Sequence, residues 1–111
     1  MERFRKYVGK GLNLENVKDA EKLSALGIAG RYVPDPPEDF DEFEFTTDFG
    51  GETVVILVTV ETGKIKRLLF SLADQADPDL TRPLTESQLV DFLSAKGEQL
   101  LQFFDHITEE G

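Results

Sequence analysis

The chain has 111 residues, 40% of them hydrophobic, with nine phenylalanines, one histidine, no cysteine and a formal net charge of −10. That length makes one domain, the aromatic content separates it from disordered polyanions, and the lack of cysteine excludes disulfides and thiolate metal sites. So negative a chain repels nucleic acid and anionic lipid and attracts cations or a basic protein.

The first residues, MERFRKYVGKG, form a basic turn with no apolar stretch behind it. Nowhere does an apolar run reach the roughly 18 residues of a membrane span, so a soluble, cytoplasmic protein is expected. Phe4, Tyr7 and Val8 fit a short helix stopped by Gly9 and Gly11. Asn13 is placed to cap a second helix, running to about Leu26 and closed by Gly27. Three prolines between Val33 and Pro37 then make an extended linker.

Eight acids and no base lie between Asp35 and Glu52, interleaved with Phe40, Phe43, Phe45 and Phe49. Within this block Glu42 to Asp48 alternates as a strand, with Phe43, Phe45 and Thr47 on one face and Glu42, Glu44 and Thr46 on the other. Gly50 and Gly51 turn the chain into the β-branched run Thr53 to Val60. Glu61 to Lys64 reads as a tight hairpin loop with Gly63 at positive φ, and a third strand follows over Ile65 to Leu72. After the loop ADQADPDLTRP, Thr85 and Gln88 form a capping box for a helix from Glu86 to about Thr108. On a helical wheel Leu89, Val90, Phe92, Leu93, Leu100, Leu101, Phe103, Phe104 and Ile107 share one half. Gly97 lies on that half too, where it lets the helix approach the strands; a helix broken at Gly97 is the rival reading.

The expected fold is therefore a single α+β domain over residues 1–111. It is a three-stranded antiparallel β-meander with an N-terminal helical segment and a long amphipathic C-terminal helix packed on one face. If that helix covers Val54, Ile56, Val58 and Val60, then Val55, Leu57, Ile65 and Leu69 point the other way and need cover. The favoured cover is the N-terminal helices, making a sandwich. Otherwise these four residues form an interface with another chain, in a sheet-to-sheet or helix-swapped dimer.

Catalytic signals are weak. His106 is the one histidine, the residue type most used for acid and base chemistry, yet no nucleophile or cleft accompanies it, so a structural role is expected. Asp39, Asp41 and Glu42 lack the order of a calcium loop, the acids of Asp77-Pro-Asp79 are ordinary turn chemistry, and Gly9-Lys10-Gly11 lacks the spacing of a phosphate loop. Glu42 and Glu44 share a strand face at a spacing that glycosidases use, but solvated strands look the same. No cofactor and no metal are expected.

The function expected is a small acidic, non-enzymatic interaction module. Asp39, Phe40, Asp41, Glu42 and Glu44 would dock on a basic protein surface, with no direct contact to nucleic acid or membrane. In size, acidity and element order the chain is similar, at class level only, to small phage inhibitors of restriction or CRISPR nucleases and to nuclease immunity proteins. That similarity implies an inhibitor or nucleic-acid mimic. The alternatives are a homodimeric chaperone or adaptor that works through the apolar second face, and a small-ligand pocket between helix and sheet.

Overall fold

The computed structural model describes residues 2–34, 40–77 and 80–108, the side chains of Glu2 and Phe40 excepted. Its elements run in the order 3₁₀ helix Glu2–Tyr7, α1 Leu14–Val17, α2 Ala20–Ala25, β1 Ile28–Tyr32, β2 Phe40–Phe49, β3 Glu52–Glu61, β4 Lys64–Ala73, β5 Thr81–Pro83 and α3 Glu86–Ile107. The fold is α+β, as expected, but the antiparallel sheet has five strands in sequence order rather than three.

The meander and α3 stand where local chemistry puts them. Alternation carries β2, and the loop to β4 turns at Gly63 with φ +79. Thr85 Oγ1 accepts from the Gln88 amide at 3.1 Å while Gln88 Oε1 accepts from the Thr85 amide at 3.0 Å, completing the capping box. The helix then runs unbroken through Gly97, which removes the broken-helix alternative. Val90, placed on the buried half of the wheel, is exposed at its border.

The second helix departs from expectation. Asn13 caps it and Gly27 ends it at positive φ, but it is two short helices. Asp19 Oδ1 accepts from the Lys22 amide and starts a new helix after α1 has closed on Lys18. A side-chain acceptor that competes for backbone donors is a cap wherever it falls, and here it falls inside the expected helix. The edge strand β1 lies in the stretch between the expected helix end at Gly27 and the proline linker, where no element is expected, and β5 lies in the expected loop. Ala29, Gly30 and Pro83 are poor strand formers, held in the sheet by pairing with β2 and β4.

The expected sandwich is overturned. Phe4, Tyr7, Val17 and Leu23 belong to the same buried cluster as α3 and the core-facing strand residues, so every described helix lies on one side of the sheet. Phe4 packs edge-on and Tyr7 tilted against Phe104, at 5.6 and 5.2 Å between ring centroids. The Asn13 amide donates to the Ile107 carbonyl at 2.7 Å, and Asn16 Nδ2 donates to the His106 carbonyl at 2.8 Å. The reason is width. One helix is about 10 Å across and covers roughly two strands at about 4.8 Å each, so the flanks of this wider sheet need the N-terminal pieces beside α3.

Candidate interaction surface

Strand pairing places the candidate residues by parity. Thr59 pairs with Arg67 but Val60 pairs with Ile65, so Lys66 is an extra residue in β4. This bulge reverses the alternation. Ile65, expected on the second face, turns to the helix side instead and is 1% exposed there. Val55, Leu57 and Leu69 do point away from the helices, and none of them belongs to the core cluster.

Directly opposed residues form rows across this open face. One row is Tyr32, Glu44, Leu57 and Leu69; the next on one side is Thr46, Val55 and Ser71, and on the other Glu42, Thr59 and Arg67. Tyr32 is 55% and Leu69 40% exposed, large apolar surfaces at either end of the central row. Val55 and Thr59 are each only 2% exposed. Thr59 Oγ1 is buried without a hydrogen-bond partner, a condition that costs about 1 to 3 kcal/mol. Tyr32, Thr59 and Arg67 escaped sequence reasoning because each joins the surface through a cross-strand register.

The acidic block does not form one patch. Glu42, Glu44 and Asp48 stand on the open face, while Asp41, opposite Val60, stands on the helix side, and Asp39 lies outside the described residues. Phe40 heads β2 opposite Glu61, but its side chain lies outside the described part. Arg31 Nε meets Glu44 Oε2 at 3.4 Å, and Arg82 Nη2 meets Glu52 Oε1 at 3.9 Å. Glu42 and Asp48 form no ion pair among the described residues.

A depression of about 560 Å³ also opens on this face, lined by Arg31, Thr46, Thr53, Ala73 and Asp74 among others. Between α3 and the sheet, Phe45 packs edge-on to Phe103 at 4.9 Å and Phe49 to Phe92 at 5.4 Å, filling the space a ligand pocket would need. His106 Nε2 lies 3.7 Å from Asp19 Oδ2, and its carbonyl receives Asn16, so it helps to fasten α1 and α2 to α3. Among the described residues no three His, Asp or Glu gather into a group that could hold a metal, and no helix is long and apolar enough to cross a membrane.

Comparison with protein-family models, with curated proteins and with solved structures gives no match to this chain.

Proposed function

We propose that the protein is a non-enzymatic interaction module of the adaptor kind, and that its working surface is the open face of the sheet. The observation that carries this reading is the row Tyr32, Leu57 and Leu69, which lies opposite all the described helices with both ends exposed. Single exposed apolar residues are ordinary, but Leu57 and Leu69 adjoin on neighbouring strands with Tyr32 two strands away in the same row, and such groups are what docking surfaces present. Glu44, met by Arg31 at 3.4 Å, stands within the row, and Glu42, Asp48 and Arg67 border it. The test is affinity capture from source cells with the wild type and with a Tyr32→Glu, Leu69→Glu variant, whose circular dichroism verifies the fold. Loss of the specifically captured protein, or of self-association, supports the reading; unchanged capture and unchanged self-association overturn it.

A second reading keeps the acids as the active element: Glu42 and Asp48, both exposed and without ion pairs, would meet a basic partner such as a nuclease or nucleic-acid-binding protein. That partner would be steered by charge, so its association would slow steeply with salt and weaken in a Glu42→Gln, Asp48→Asn variant.

A further inference from the structure

We infer that the occupant of the open face is a second copy of the chain, packed sheet to sheet about a two-fold axis that runs along β3. This rests on the open face being a docking surface and adds who docks there.

The argument is the arrangement of charge. Glu42, Thr59 and Arg67 lie in one row, with the acid on β2, the hydroxyl on the central strand β3 and the base on β4. A two-fold axis parallel to β3 keeps each residue at its own height along the strand and exchanges the β2 side for the β4 side. Glu42 then faces the partner's Arg67, and Arg67 faces the partner's Glu42, so one row supplies two opposite-charge pairs. The same operation sets Leu57 against the partner's Leu57 and Leu69 against the partner's Glu44, whose charge Arg31 already meets at 3.4 Å. A perpendicular axis reverses height instead, which brings the charged row toward the row of Thr46, Val55 and Ser71 and leaves its charges without partners.

The size also fits. At about 3.3 Å per residue and about 4.8 Å between strands the face spans roughly 600 Å² in projection, which approaches the about 800 Å² per partner of stable interfaces. Aligned sheets pack about 10 Å apart at roughly 30°, close enough for long acidic and basic side chains at the rim to meet.

The experiment is sedimentation equilibrium on the full chain as wild type, as Glu42→Arg, as Arg67→Glu, and as an equimolar mixture of the two variants. Both positions are exposed, and circular dichroism verifies that each variant keeps its fold. The wild type is expected to dimerise. Each variant alone sets like charges against each other twice and should associate at least about tenfold more weakly, whereas the mixture restores both opposite-charge pairs and should recover wild-type affinity as a heterodimer. A wild type that stays monomeric to about 200 μM, or a mixture as dissociated as its components, overturns the inference. If the wild type is monomeric and the Tyr32→Glu, Leu69→Glu variant still loses a captured protein, the second copy is wrong but the docking face stands; if nothing depends on those residues, both fall.

Discussion

The Arg3 guanidinium occupies the space that a side chain at Gly97 would fill. Arg3 Nη2 donates to the Leu93 carbonyl at 2.7 Å, and a Cβ built on Gly97 would collide with that same guanidinium. The glycine in the middle of α3 therefore admits the N-terminal 3₁₀ helix, not the closer approach of a strand that its place on the wheel suggested.

The two residues should be coupled. Gly97→Ala gains about 1 kcal/mol of helix propensity but expels Arg3 from a charge-assisted hydrogen bond worth about 1.5 to 3 kcal/mol. Alone it is expected to be neutral to destabilising. In an Arg3→Ala background the same change should stabilise by about 1 kcal/mol, a reversal that urea melts of the four-member cycle would read directly. Equal effects in both backgrounds would contradict the contact.

Tyr7 ties the same helix to α3 further on. Its hydroxyl donates to Asp105 Oδ1 at 2.7 Å, and its pKa is raised, first by burial and then by that bond and the carboxylate's charge. A raised folded-state pKa means the contribution to stability is complete below the unfolded value of about 10 and is lost as pH climbs above it. Stability should fall on the alkaline side of pH 10. Tyr7→Phe should lower stability by about 1 to 2 kcal/mol at neutral pH and flatten that alkaline decline, as measured by denaturant melts from pH 7 to 11.

The bulge at Lys66 makes Ile65 and Leu69, four residues apart in one strand, respond oppositely. Ile65→Glu buries a charge on the helix side and should unfold the protein or cost at least about 3 kcal/mol, whereas Leu69→Glu, 40% exposed, should change the stability of the isolated chain by no more than about 0.5 kcal/mol. Thermal melts at low protein concentration check the contrast. Deleting Lys66 should remove the bulge and, by simple alternation after Arg67, keep Ile65 opposite Val60 on the helix side, so it should be tolerated far better than Ile65→Glu.

The hairpin between β3 and β4 carries a removable strain. Thr62 has φ +52, the one positive φ away from glycine among the described residues. A β-branched side chain is disfavoured there, so Thr62→Asn should stabilise by about 0.5 to 1 kcal/mol despite losing the Thr62 Oγ1 bond to the Glu61 carbonyl. Gly63→Ala meets no neighbouring atom yet should cost about 1 kcal/mol through its backbone alone. Paired melts of the two variants, moving in opposite directions, would check both.

Features whose causes lie within a few residues were legible from the amino-acid order: the alternation of β2, the β-branched run of β3, the Gly63 turn, and the Thr85 and Gln88 box that starts α3. So was the placing of Glu42 and Glu44 on one strand face and of Val55, Leu57 and Leu69 away from α3. Each follows from a period or a cap, which a short window contains in full. Tertiary structure decided the rest. β1 and β5 exist because β2 and β4 offer them partners, and Ile65 changes sides because Lys66 is accommodated against Val60. The N-terminal helices take the side of α3 through Arg3 to Leu93, Tyr7 to Asp105 and Asn16 to His106, pairs about ninety residues apart. No local pattern encodes contacts of that separation. Their energies are realised only when the sheet has brought both ends of the chain to the same face, and that choice leaves the other face, with Tyr32 and Leu69, open.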